Sequence, residues 1–153
     1  MIRFTPLAIL LFGLTLLACG GDDAPSKKEF AKDADRICRD AQKEFEKIGQ
    51  SAESPEQLAD VLDKVIDRSR EAADDLVALE RPEGGDGDTA KKFVEGFRTE
   101  LNDKLVPAIE DLKKAVKDKD VQAVQDAAQR LQKLEASESD RYARELGATA
   151  CVG

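Results

Sequence analysis

Apolar residues recur every three or four positions along most of this chain, which is the spacing that one buried face of an α-helix requires. Four such stripes follow one another, and they predict helices over about residues 27–48, 55–80, 89–117 and 121–146. No stretch alternates apolar and polar residues with the two-residue period of a β-strand. The pattern therefore predicts an all-α protein.

Residues that favour helix ends stand at the ends of these stripes. Ser26 precedes the first stripe and Glu29 follows three residues later, which is the spacing of a capping box. Gly49 and Gly147 follow the first and fourth stripes, where a left-handed residue commonly ends a helix. Because the connections are short, consecutive helices should be antiparallel neighbours. We expect residues 26–153 to form an antiparallel up-down-up-down four-helix bundle.

Two features modify the third predicted helix. Pro107 lies inside its stripe, and because proline has no N–H it cannot bond to the carbonyl of Asp103, which predicts a kink. The glycine-rich segment Gly84–Asp88 precedes the stripe and predicts a loop. This loop lacks an EF-hand pattern, since Ala90 and Lys91 stand where a calcium ligand and a glycine are needed.

The first 18 residues differ from the rest of the chain. Arg3 precedes an apolar run from Leu7 to Leu17, and the small residue Ala18 follows it. This arrangement is typical of a secretory signal peptide. A membrane-spanning helix is the alternative, but such a helix needs about 20 apolar residues, and this run is little more than half as long.

The end of that run, Leu-Leu-Ala-Cys-Gly at residues 16–20, resembles the lipobox of bacterial lipoproteins. The resemblance implies cleavage before Cys19 and attachment of a diacylglyceryl group to its thiol, so that the sulfur carries two fatty-acid chains such as palmitate. Residues 1–18 would then be a lipoprotein signal peptide, and residues 19–25 a lipidated flexible tether. The domain would be lipid-anchored on the extracytoplasmic face of the bacterial cell membrane. An ordinary cleaved signal stays an alternative, since Leu-Leu-Ala also suits the other signal peptidase.

The three cysteines divide naturally between two roles. If Cys19 is acylated, Cys38 and Cys151 remain. Two thiols in an exported domain are expected to pair, because disulfides persist outside the reducing cytosol. A reactive or metal-binding pair is the alternative, but no histidine is present to support it.

Three short segments carry a second resemblance. Phe30–Cys38 opens the domain, Leu79–Pro82 ends the second predicted helix, and Leu146–Cys151 closes the chain. Together they resemble small exported helical-bundle lipoproteins of actinobacteria, a group without an assigned activity. The resemblance implies extracytoplasmic exposure and a disulfide joining the two ends of the domain, and it carries over no catalytic residue.

Composition narrows the range of functions. The chain has a formal net charge of −8, which disfavours nucleic acid and anionic lipid as partners, so the lipid on Cys19 would make the membrane contact. The chain has no histidine, the most common general base and metal ligand, and the composition predicts no cofactor and no metal. Paired carboxylates leave an enzyme as an alternative, but acidic residues on helices are mostly solvated. We expect a non-catalytic binding or interaction module, with an envelope protein as a possible partner.

One polar layer is a candidate ligand site. Glu135 falls on the centre of the fourth apolar stripe, Ser69 falls on the inner face of the second, and Lys104 lies near the edge of the third. In the predicted bundle these residues lie at a similar depth, where they would form a small pocket for a carrier or sensor function. The alternative is that the stripe drifts and Glu135 reaches solvent at the edge of the bundle.

Overall fold

The computed structural model describes residues 24–50, 54–134 and 137–153, and every regular element in those ranges is helical. The predicted all-α class is therefore confirmed. The predicted signal peptide, Cys19 and Glu135 lie outside the described residues. The α-helices are Lys27–Gly49 (α1), Pro55–Ala78 (α2), Gly84–Glu100 (α3), Val106–Lys117 (α4), Val121–Gln132 (α5) and Glu138–Leu146 (α6). A π-helical turn, Leu101–Leu105, joins α3 to α4, and a 3₁₀ turn, Thr149–Cys151, follows α6.

The start of α1 has the predicted capping box. The Glu29 N–H donates to Ser26 Oγ over 3.3 Å, and the Ser26 N–H donates to the Glu29 carboxylate over 2.9 Å. This backbone N–H stabilises the ionised carboxylate and lowers the pKa of Glu29. The first helix therefore begins where its sequence places the cap.

The third helix begins earlier than predicted. Its first residue is Gly84, although the glycine-rich segment predicted a loop up to about residue 88. Gly87 has a packing role, since a Cβ at this position would lie 2.2 Å from the carbonyl oxygen of Pro82. Glycine here allows the first turn of α3 to lie against the preceding chain, which composition alone did not indicate.

Pro107 interrupts the helix near the predicted position, and the interruption includes a π turn. The Val106 N–H bonds to the carbonyl of Leu101, five residues earlier, immediately before the proline. π turns insert one residue into a helix and commonly relieve a local defect in its bonding. The chain then continues as α4.

The single fourth helix predicted over 121–146 is two helices, and this prediction needs correction. α5 ends at Gln132, and α6 begins at Glu138 with its own capping box. Ser137 Oγ accepts the Asp140 N–H over 3.1 Å, and Asp140 accepts the Ser137 N–H over 3.1 Å. A cap that satisfies two free N–H groups defines a new helix start, even though apolar residues continue on both sides.

The helices pack as two neighbouring groups. α1 packs on α2, α2 on α4 and more lightly on α3, while α6 packs on α3 and α5 packs on α4. The first core lies between α1, the end of α2, α3 and α6 and includes the following buried residues: Phe30, Ala34, Ile37, Leu76, Phe93, Val94 and Leu146. The second core lies between α2, the π turn and α4 and includes these buried residues: Leu62, Ile66, Leu101, Val106 and Ile109.

The predicted disulfide is present between Cys38 and Cys151, 113 residues apart in sequence. It joins α1 to the 3₁₀ turn, which also contacts α1 through hydrogen bonds. The Ala150 N–H donates to Asp35 over 2.8 Å, and Gln42 donates to the Ala150 carbonyl over 2.9 Å. The last residues of the domain are thereby fixed against its first helix.

Within the described ranges, none of the helices combines the length and the apolar character needed to cross a bilayer. This finding concerns only those ranges and leaves the first 23 residues aside.

Candidate functional site

A cavity of about 700 Å³ lies where the two cores meet. Its volume falls in the range of about 300–1,000 Å³ that is typical of small-molecule sites. The apolar part of its wall includes the disulfide and the following side chains: Ala41, Phe45, Ala72, Phe97, Leu101, Leu105, Leu134 and Val152. Phe97 contacts both cores, which places its ring at their boundary.

The break between α5 and α6 borders this cavity. Lys133 and Leu134 line it from the end of α5, and Ser137 lines it from the start of α6. α5 packs on α4 and α6 on α3, so the chain changes its packing partner at this point. The cavity is therefore bordered by the same segment in which the predicted fourth helix is interrupted.

The structure brings two of the three predicted polar residues to this cavity. Ser69 is buried, and its Oγ donates to the Val65 carbonyl over 2.8 Å within its own helix. Lys104 lines the cavity from the π turn and is exposed. Glu135, the third residue, lies outside the described residues. A role of these residues in ligand binding stays a prediction.

A chain of hydrogen bonds at the cavity wall was not predicted. Ser139 Oγ donates to a carboxylate oxygen of Glu100 over 2.5 Å, and the Oγ atoms of Ser137 and Ser139 are 2.7 Å apart. Because the Ser139 proton faces Glu100, the Ser137 hydroxyl donates to Ser139. Ser139 is only 3 % exposed, whereas Glu100 is partly buried. Nothing in the residue pattern links Ser137 or Ser139 to Glu100, which lies on a different predicted helix.

A small residue on α3 allows this chain to form. A Cβ at Gly96 would lie 3.3 Å from the Cβ of Ser139, so α3 and α6 approach closely at this level. That approach brings Ser139 within hydrogen-bonding distance of Glu100, four residues after Gly96. The close packing of the two helices thus sets the geometry of the polar wall.

Asp140 connects this wall to the end of the chain. The side chain is only 7 % exposed, accepts the Ser137 N–H, and accepts the Gly153 N–H over 3.3 Å. Together with the disulfide, this bond holds residues 150–153 as one side of the cavity.

The charged groups around the cavity differ in their partners. Glu138 accepts from Arg141 over 2.9 Å and from the Tyr142 hydroxyl over 3.1 Å. Lys104 and Lys133 form no ion pair with any described residue. The wall therefore offers apolar surface, two rim ammonium groups and the Glu100 carboxylate to a bound molecule.

No protein-family model, no curated protein and no solved structure matches this chain. Among the residues that the structure describes, no three His, Cys, Asp or Glu side chains are grouped so that they could hold a metal ion.

Proposed function

We propose that this protein is a lipid-anchored, extracytoplasmic, non-catalytic binding protein whose cavity takes a small, largely apolar molecule. The observation that carries the proposal is the cavity of about 700 Å³, with apolar walls and a few polar groups at its edge. Pockets with this combination are typical of small-ligand sites, in which apolar surface supplies affinity and a few polar groups set orientation.

The anchoring part of the proposal rests on the lipobox resemblance and gains support from the disulfide. Disulfides persist in oxidising compartments and are rare in the cytosol. The bond between Cys38 and Cys151 is therefore consistent with export. Two or three acyl chains would bind the protein stably to a membrane, since one chain alone binds only marginally.

We also propose that the helices follow the up-down-up-down bundle path, with α5 and α6 sharing the place of the fourth helix. The contacts of α1 with α2, of α4 with α5 and of α3 with α6 support this path. The resemblance to helical-bundle lipoproteins is part of the same proposal.

The cavity favours a small ligand over the envelope protein that the sequence led us to consider. A protein partner usually covers a contiguous exposed apolar patch. Among the described residues, the large apolar side chains that stand out as exposed are Val121 and Leu134, at 70 % and 40 %. These two side chains supply little apolar surface of that kind, whereas the cavity is large enough for a ligand.

The neutral fluorescent probe N-phenyl-1-naphthylamine tests whether the cavity binds. We expect saturable binding to the full chain, weakened at least tenfold by Ser69→Leu, because the leucine occupies cavity volume. The Ser69 hydroxyl bonds only within its own helix in the structure, so the fold should tolerate its removal. Thr99→Leu, an exposed site outside the cavity, is the matched control. Equal binding by both variants would contradict the proposal, as would an absence of saturable binding.

Cys19→Ser tests the anchor. The variant should lose its acyl chains and partition into the aqueous phase of a detergent phase separation, whereas the parent chain enters the detergent phase. Cys38→Ser is the control, since that thiol is joined to Cys151 and should carry no lipid. Unchanged detergent partitioning of Cys19→Ser would refute the lipobox interpretation.

A further inference from the structure

Glu100 is a partly buried carboxylate at the cavity, and its described neighbours use few of its acceptor positions. Its carboxylate lines the cavity and accepts one hydrogen bond, from Ser139. An ionised carboxylate has about four acceptor positions on its two oxygens. The remaining positions are available to a molecule in the cavity.

No cation of the described residues is paired with this carboxylate. Among the described residues, the ion pairs that include a residue of α3 are Lys27–Asp86 and Lys91–Glu95, and neither involves Glu100. Lys104, four residues after Glu100, forms none. A partly buried charge loses hydration and is normally compensated by a group of opposite charge. A ligand cation would supply that compensation.

The rest of the cavity suits a cation that carries an apolar body. Phe45 and Phe97 line the same space, and aromatic faces attract cations. The chain's net charge of −8 also raises the local concentration of cations. Lys104 and Lys133 at the rim are exposed and repel additional positive charge, so they favour a ligand with a single ammonium group.

We propose that the cavity binds an amphipathic monoamine, with its ammonium group at Glu100 and its alkyl or aryl body against the apolar wall. This inference rests on the proposed function, which requires only that some small molecule enters the cavity. It adds the charge of that molecule and the residue that recognises it.

Three probes that share one apolar body but differ in charge test whether the cavity prefers a cation. They are 4-phenylbutylammonium, 4-phenylbutan-1-ol and 4-phenylbutanoate. In isothermal titration calorimetry of the full chain at neutral pH, binding affinity should decrease in the order ammonium, alcohol, carboxylate. We expect the ammonium to bind at least tenfold more tightly than the alcohol, as one charge-assisted hydrogen bond provides.

The Glu100→Gln variant tests whether the tighter binding of the ammonium probe depends on Glu100. The glutamine oxygen can still accept from Ser139, so the wall should keep its structure while the charge is lost. We expect ammonium and alcohol to bind this variant with equal affinity. Glu95→Gln removes the same charge from an exposed site on α3 and should keep the parent preference.

The outcomes separate the two proposals. Tighter binding of the carboxylate, or an ammonium preference that survives Glu100→Gln, would overturn the inference and leave the cavity as a binding site. If none of the three probes binds and N-phenyl-1-naphthylamine also fails, the proposed function itself is overturned.

Discussion

The two cores of this protein are secured by different means. In the first core Phe30 and Phe93 are almost fully buried, α6 has a capping box, and the disulfide fixes the end of the chain. In the second core the last helix, α5, has Ala127 as its one buried residue among those described, and Val121 is 70 % exposed. We infer that the first core is a rigid frame and that α5 is held mainly by its contact with α4.

The cavity lies between these two regions, and the difference between them explains its position. One wall comes from the disulfide and α6, which the first core fixes. Another part of the wall comes from the π turn and from the residues that follow α5. We infer that one wall of the site is held more firmly than the other. Ligand sites are common at such boundaries between packed units.

Among the variants that test this difference between the two cores, the one that lacks the disulfide should lose the most stability. For a loop of 113 residues, the chain-entropy estimate is a loss of about 4–5 kcal/mol in the free energy of unfolding. The double variant Cys38→Ala, Cys151→Ala should show this loss in urea denaturation. It should also bind N-phenyl-1-naphthylamine more weakly, because residues 150–153 form part of the cavity. Unchanged stability and binding would show that the bond does not hold the frame.

Truncating a side chain should lower the free energy of unfolding more in the first core than in α5. Phe93→Ala in the first core removes a side chain with 0 % exposure and should cost about 3–5 kcal/mol in the free energy of unfolding. Leu131→Ala in α5 removes a partly buried side chain and should cost about 1–2 kcal/mol. Denaturant titrations of the two variants provide the comparison. Equal costs would contradict the contrast drawn between the cores.

The smallest expected effect concerns the cap of α1. Because folding lowers the pKa of Glu29, the ionised side chain stabilises the fold above its unfolded pKa. That contribution is lost as the pH falls through the lower, folded-state pKa. NMR titration should place the Glu29 midpoint below the ordinary glutamate value. Ser26→Ala keeps the backbone N–H but removes the hydroxyl that also donates to this carboxylate over 2.8 Å, so it should return the midpoint part of the way. A normal midpoint in the parent chain would contradict the cap as described.

Local signals explain what the sequence could predict. The helical stripes, the Ser26 cap and the pairing of Cys38 with Cys151 all follow from residue spacing or from cysteine chemistry. Helical spacing also predicted that Ser69 and Lys104 lie at a similar depth, and both line the cavity.

Features that depend on contacts between helices could not be predicted in this way. Apolar residues at helical spacing stand on both sides of the break before Ser137, so the sequence favoured one continuous helix over a new start at the Ser-x-x-Asp cap. The hydrogen bond between Ser139 and Glu100 depends on the close approach of α3 and α6 at Gly96. Gly87 likewise has a packing role that becomes visible only beside the Pro82 carbonyl.

The most direct test of the account is a two-dimensional ¹H–¹⁵N NMR titration of the full chain with 4-phenylbutylammonium. We expect saturable chemical-shift changes in the amides of cavity residues such as Ala72, Glu100, Ser139 and Val152, with little change in the first turns of α1 and α5. Changes spread evenly over the acidic surface, or confined to residues remote from the cavity, would contradict the account.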